Sequence, residues 1–357
     1  MRLNAMRKEP PIATVQYIID KAPEQGVPFE LRDWLYWTRL PLPFALNHVN
    51  IWALKGSKGW CFVDFGINRP VVQEMWTTLR KGIFKGPIEA MIATHFHPDH
   101  VGNAGWLYDQ LSEKPPFYMS QIEFLFTRMI SSDSDEIYRE RFEKYYGAMG
   151  LAPDIIAEQM EMGNAYARNV TPAPMPFNRL SAGQIIRFAD RDWRVMIGEG
   201  HAPEHVSLYC AAENILIVGD QILPKITPNI SIWPHETSAN NLKAFFKTLP
   251  QFKELPEDVL VLPSHGIPFT GLHQRINELY HHHDERLQHI LDFCDHPVNG
   301  AEVMASLFPI TLDKHQIFFA AGETIAHLNY LTEKGDLHRS KNEQGVFFYC
   351  RENNSYV

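Results

Sequence analysis

The sequence predicts an α/β fold in which several strands deliver polar side chains to one edge, with a helical insertion and a mostly helical C-terminal appendage. Three observations carry this prediction. Short apolar runs of strand length recur at 90–93, 193–197, 214–218 and 259–262, and each ends in a turn bearing His or Asp. Stretches with helical spacing lie between the earlier runs, such as 71–81, with apolar Val71, Val72, Met75 and Leu79 on one face. From Gln274 onward the strand runs give way to helical periodicity, as in Ile276, Leu279, Tyr280, His283 and Leu287.

Bulk properties set the frame. With 357 residues, 45% hydrophobic and 21% charged, the chain can bury the core of one large domain plus an appendage. A formal charge of −9 and a pI near 6.0 provide no electrostatic footprint for nucleic acid or an anionic membrane. Cys61, Cys210, Cys294 and Cys350 are widely spaced, which suggests neither a disulfide framework nor a thiolate zinc site. The opening residues lack a long apolar segment, and no 18-residue apolar stretch occurs, so a soluble, cytoplasmic protein without a membrane partner is expected.

Taken in order, residues 1–35 form an extension rich in proline and charge. Alternating apolar residues over 27–40 lead into the strand-like runs 42–54 and 60–66, paired as a hairpin around Gly56-Ser57-Lys58-Gly59. The second run ends in Asp64 and Gly66. After the helix 71–81 and the strand 90–93 comes Thr94-His95-Phe96-His97-Pro98-Asp99-His100-Val101-Gly102-Asn103, followed by a helix over 102–111. This is a βα loop carrying four metal-ligand side chains within six residues. Imidazole nitrogen and carboxylate oxygen suit zinc, manganese and iron. Two His at i and i+2, with Asp and His just beyond, can serve two metals from one loop.

Residues 117–120 form a further strand, and 121–177 read as an insertion, helical over 121–146 and 153–167 and proline-rich over 171–177. It serves as a lid or wall over a site, or as a dimer face or padding. Later strands end at His201, with His205 four residues on, at Gly219-Asp220, and at Ser264-His265-Gly266. The loop 222–235 borders any site built on Asp220, with Lys225, Asn229 and Trp233 as substrate-pocket candidates. The core unit spans 36–273 and the appendage 274–357. In the appendage, helices are expected at 300–308, 314–321 and 323–334, then strands at 337–339 and 346–349. The run His281-His282-His283 sits on a helix, where adjacent side chains diverge, so it takes a packing or solvated role.

The H-x-H-x-D-H string resembles the signature of the metallo-β-lactamase superfamily. Asp64, His201, Asp220 and His265 match its other motif positions in the same order, across roughly 36–270. The residues preceding Gly200-His201 depart from the family's common form, but the Gly-His pair is intact. The resemblance implies a four-layer αβ/βα sandwich and two divalent metal ions, most often zinc, with iron or manganese as alternatives. On that pattern His95, His97 and His201 hold one metal; Asp99, His100 and His265 hold the second; Asp220 bridges them. Asp64 and His205 support these ligands from behind, and Asp99 orients the nucleophile and carries its proton.

The implied chemistry is hydrolysis by a bimetal-bound hydroxide of an ester, a hydroxyacylglutathione-like thioester or a lactone. The expected compartment argues against β-lactams. The appendage resembles the winged-helix tail of one branch, which includes an endoribonuclease, so RNA phosphodiester cleavage is the rival reading. Five Lys/Arg against seven Asp/Glu over 300–357 oppose nucleic-acid binding and favour packing or homodimerisation. A non-catalytic regulator that binds metal and ligand is the third reading.

Overall fold

A computed structural model describes residues 15–351 of the chain. Two seven-stranded sheets face each other. The first runs Phe29–Arg32, Leu35–Pro41, His48–Gly56, Gly59–Val63, Ile88–Ile92, Phe117–Ser120, Phe177–Leu180, and its last four strands are parallel. The second runs Gln16–Tyr17, Phe269–Thr270, Leu260–Pro263, Ile215–Gly219, His205–Cys210, Arg191–Gly198, Ile185–Phe188. There only Ile215–Gly219 and Leu260–Pro263 pair in parallel.

The strand sequences explain the layering. Successive side chains point to opposite faces, and these strands are covered on both, so the runs are apolar throughout. In Gly59–Val63, Cys61 and Val63 face the second sheet, whereas Trp60 and Phe62 face the outer helices. In Ile215–Gly219, Ile215 and Ile217 join the inter-sheet core and Leu216 and Val218 the opposite layer. Trp37, Trp52 and Trp193, all fully buried, fill the space between the sheets. Burying one such side chain contributes roughly 1.5–3 kcal/mol. The helix Pro70–Lys81 presents Val72, Trp76 and Leu79 to the first sheet, and the Trp76 indole donates to the Phe65 carbonyl at 2.8 Å. Asn241–Thr248 and Leu272–Phe293 cover the second sheet. The result is the expected four-layer αβ/βα sandwich.

Several elements differ from the sequence reading. The N-terminal extension contributes edge strands to both sheets; its first fourteen residues lie outside the described residues. The helix expected at 102–111 is two short ones, Pro98–Val101 and Ala104–Asp109, because proline opens the first directly inside the metal-type loop. The helix expected at 153–167 is also split, into Pro153–Met160 and Ala165–Asn169, with the Asn164 side chain accepting from the Ala167 amide to start the second.

In the appendage, Leu272–Phe293 leads to a short strand Val298–Asn299, the helices Gly300–Leu307 and Lys314–Lys334, and the hairpin Leu337–Lys341/Phe347–Arg351. Val298–Asn299 pairs with the second hairpin strand. Gly322 does not break the last helix as its sequence suggests. It lies inside a continuous helix, begun by Asp313, whose side chain caps the Gln316 amide. The three consecutive histidines diverge: His281 is exposed beside Glu285, His282 bonds Arg286 at 3.0 Å, and buried His283 faces His327 at 3.1 Å.

Candidate metal centre

The site forms where strands of both sheets end. Asp64 follows Gly59–Val63, and the loop 94–100 follows the parallel strand Ile88–Ile92, so the two leave the sheet together; the Asp64 amide donates to the Ile92 carbonyl at 2.9 Å. The Val206 amide bonds the Thr94 carbonyl at 2.8 Å and the Asn50 amide bonds the Ser264 carbonyl at 2.6 Å, stitching the sheets at this edge. Asp220 and His265 extend from the parallel pair in the second sheet, joined by the Ser264 amide to Gly219 carbonyl bond at 3.0 Å.

Several of the histidines are anchored at Nδ1, which directs their Nε2 inward. His201 Nδ1 meets the Asn229 carbonyl at 2.9 Å and His265 Nδ1 the His48 carbonyl at 2.7 Å. A carbonyl only accepts, so both rings carry a proton on Nδ1 and turn Nε2 into the site. His100 Nδ1 meets Asp64 Oδ2 at 2.8 Å. The Thr94 hydroxyl donates to Asp64 and lies 3.0 Å from His95 Nδ1, so one buried carboxylate orients two imidazoles. Asp64 also accepts from the Thr94 amide at 2.8 Å. Its backbone is left-handed, φ 65°, a conformation Asp tolerates better than most residues.

The inward atoms form three overlapping groups: His95, His97 and His201; His95, His100 and Asp220; Asp99, His100 and His265, the ligand atoms in each lying within 4.8 Å of one another. Asp220 Oδ2 stands 3.4 Å from His201 Nε2, 3.3 Å from His265 Nε2 and 3.5 Å from His100 Nε2, placing it between the sets. The Nε2 atoms of His97 and His100 and the Oδ1 of Asp220 are buried without a hydrogen-bond partner. Such orphans are rare in folded proteins. Together with the imidazole nitrogen and carboxylate donors, they fit a pair of borderline divalent cations.

Charge follows the same geometry. Burial, reinforced by the surrounding imidazoles, holds His95 well below the usual histidine range, and burial pushes His97 down to about 3. Burial also lowers His201. For His265 burial acts downward, but the Asp220 and Asp99 carboxylates override it and raise the ring to about 10. His100 rises for the same reason. Burial acts to raise Asp99 and Asp220, yet the neighbouring His100 and His265 hold both below the usual carboxylate range. Asp99 is the accessible carboxylate, its side chain 19% exposed against 7% for Asp220.

His205, as the motif implies, supports rather than joins these groups: its Nε2 accepts from the Asp220 amide at 3.0 Å. Gly219 makes room for it, since a Cβ there would lie 2.4 Å from the His205 ring. Of the pocket candidates, Asn229 reaches the site through its carbonyl, Trp233 lies edge-to-face on Phe319 of the appendage at 5.9 Å, and Lys225 is exposed. The loop carrying them is pinned by buried Arg275, whose guanidinium donates to the carbonyls of Leu223 and Ile226 at 2.6 and 2.9 Å.

Sequence reasoning missed Arg275, although a cation next to Ile276 on an apolar face was a usable signal. It also missed Glu123, fully buried, whose carboxyl accepts from the Phe96 amide at 2.9 Å and the Glu204 amide at 2.6 Å. The insertion therefore holds the metal-type loop directly. Its helix Asp135–Met149 stacks Tyr146 on Phe318 and bonds Tyr145 to the Ile232 carbonyl, bridging the site loop and the appendage.

Residues 45–265 match the family model described as "Metallo-beta-lactamase superfamily". The chain belongs to that superfamily. Residues 287–352 match a "Metallo-beta-lactamase-like, C-terminal domain" model. Among solved structures, a beta-lactamase domain protein from Burkholderia ambifaria is 34% identical with a TM-score of 0.87, covering 94% of this chain and 98% of its own. A metallo-beta-lactamase family protein from Thermus thermophilus is 26% identical with a TM-score of 0.77, covering 90% and 100%. A hydroxyacylglutathione hydrolase of Haemophilus ducreyi is 29% identical over 107 residues, 30% of this chain and 42% of that one. Superfamily membership and the converging His and Asp side chains make this a metallo-hydrolase; no helix among the described residues is long and apolar enough to cross a membrane.

Proposed function

We propose that the chain hydrolyses a carboxylic ester, thioester or lactone at a centre of two divalent cations, zinc being the ion its nitrogen-rich donor set suits best. His95, His97 and His201 would hold one cation, Asp99, His100 and His265 the other, with Asp220 between. The cations supply Lewis acidity and a water acidified to near neutral pH. The observation that carries the ester reading is the charge of the surroundings. Among the described residues, the ion pairs of these seven side chains run only among themselves and to Asp64, and none involves Lys or Arg. A polyanionic phosphodiester would ordinarily meet such cations, whereas a neutral acyl carbonyl needs none.

Asp99 supplies the proton handling. It is ionised at neutral pH, it is the accessible carboxylate of the site, and its Oδ2 sits 3.4 Å from His265 Nε2. It can therefore accept the proton of an attacking water and pass it to the leaving oxygen or sulfur. Half-buried Trp233, on the loop 222–235, suits an apolar acyl group. The likeness to a hydroxyacylglutathione hydrolase supports a thioester within this class.

The test is turnover by the zinc-loaded full chain of a thioester, a lactone and an aryl ester beside a single-stranded RNA, with Asp99→Asn in parallel. Acyl hydrolysis that falls by about 10²–10⁴ in the variant is expected. RNA cleavage without acyl turnover would replace this reading with the phosphodiesterase one.

A further inference from the structure

The appendage bears on the metal centre through one short segment. Asn229, whose carbonyl fixes His201, begins a stretch that lies on the helix Lys314–Lys334. The Ile232 amide donates to the Gly322 carbonyl at 3.1 Å. The Asn229 side-chain amide reaches the Phe319 carbonyl at 3.4 Å and the Glu323 carboxylate at 3.5 Å, and its oxygen accepts from the Ser231 hydroxyl. On the other side, Tyr145 of the insertion grips the Ile232 carbonyl at 2.7 Å. Contact with the helix is so close that a Cβ on Gly322 would lie 2.7 Å from the Ser231 Cβ and 3.1 Å from the Ile232 carbonyl oxygen. A mid-helix glycine costs about 1 kcal/mol relative to alanine, and here it permits this approach.

We infer that Gly322, with Glu323 and Asn229, is a positioning element for His201: the C-terminal helix is a strut of the metal centre, and through it the appendage sets the affinity of one metal position. This rests on the binuclear reading above. The strut acts on His201 and not on the other anchored ligands, since the Nδ1 atoms of His95, His100 and His265 are held by Thr94, Asp64 and the His48 carbonyl. Displacing the Asn229 carbonyl frees the His201 ring to rotate and to change tautomer, which weakens the position built from His95, His97 and His201 and leaves the Asp99, His100 and His265 position intact.

The experiment is zinc binding by the full chain in competition with a chromophoric chelator, resolved into two steps, with the cobalt(II) absorption spectrum as a readout of ligand geometry. Gly322→Ala is expected to weaken one step by about tenfold, the lower end of the effect of losing a ligand's hydrogen-bond partner, to leave the other step unchanged, and to shift the cobalt spectrum. Moving the side chain across the contact, Gly322→Ala with Ser231→Gly, is expected to recover part of the affinity, since it relieves the contact but removes the Ser231 hydroxyl that donates to Asn229. Should Gly322→Ala fail to fold, Asn229→Ala gives the same comparison with no added atoms. Equal affinities in wild type and variants, or equal weakening of both steps, would overturn the strut. Wild-type protein that takes up no zinc would overturn the binuclear reading itself, and the strut with it.

Discussion

Replacing Glu123 by Gln separates two forces acting on one buried carboxyl. Each of its oxygens accepts a backbone amide, from Phe96 between the first two histidines and from Glu204 beside His205. Burial nevertheless dominates and pushes its pKa up to about 8 from an ordinary 4.5, with the two amide bonds pulling the other way. The protonated carboxyl can still accept at both oxygens. Glutamine accepts at one and turns an NH2 group toward the other donor, leaving a buried amide unpaired at a cost of about 1–3 kcal/mol. Below pH 5 the variant should be less stable by that amount. The native state retains this proton longer than the unfolded chain, so its contribution to stability is complete below the unfolded pKa and is lost as pH rises through about 8. That loss is at most about 5 kcal/mol, and Gln does not titrate. The stability difference should therefore shrink by about 1.4 kcal/mol per pH unit above the unfolded pKa, reverse between about pH 5 and 7, and level off above 8. Chemical denaturation of the metal-free wild type and variant at several pH values measures this directly. A difference that stays constant or widens toward high pH would show the carboxylate ionised and the amide bonds dominant.

Three further outcomes follow from the same geometry. Asp64→Asn keeps the left-handed backbone that Asn also tolerates but places an amide against His100 Nδ1, so zinc affinity should fall about 10–100-fold; unchanged affinity in a chelator competition would remove Asp64 from the support of the site. Arg275→Met leaves the Leu223 and Ile226 carbonyls without their donor and Glu278 without its ion pair at 2.8 Å, costing on the order of 3 kcal/mol, and a denaturation midpoint equal to wild type would refute that. Because His265 is raised to about 10 beside Asp220 and Asp99, metal uptake at pH 7 must expel its proton. Calorimetry in buffers of different ionisation enthalpy should show proton release and an affinity that rises with pH, and zero release would contradict the charge assignment.

The site was legible in the sequence because each of its residues ends an apolar run, and strand ends are where a layered α/β fold gathers its chemistry. The 94–100 loop stood out by its ligand density alone, whereas Asp64, His201, Asp220 and His265 took their expected roles from the resemblance of their order to the superfamily's motifs. What supports them was less legible. Glu123 occupies the third position of the helix Gln121–Ser132 and looks like an ordinary first-turn acid; only the tertiary approach of Phe96 and Glu204 gives it a role. Gly322 reads locally as a break between two helices, whereas the contact with Ser231 makes it an interior packing position. Asn229 was singled out for its side chain, yet it meets His201 through its carbonyl, a group every residue possesses and no sequence pattern marks. The edge strands Gln16–Tyr17 and Val298–Asn299 are two residues each, too short to show a period.

Asp220 Oδ2 lies between the two ligand sets and would serve both cation positions, so metal counting reads its role. Elemental analysis of the full chain, purified and dialysed after zinc loading, should give two ions per chain in wild type and a marked loss in Asp220→Ala, because that carboxylate would serve both positions. A wild-type chain that retains no metal above background, or an Asp220→Ala variant that retains both ions at wild-type affinity, would contradict it.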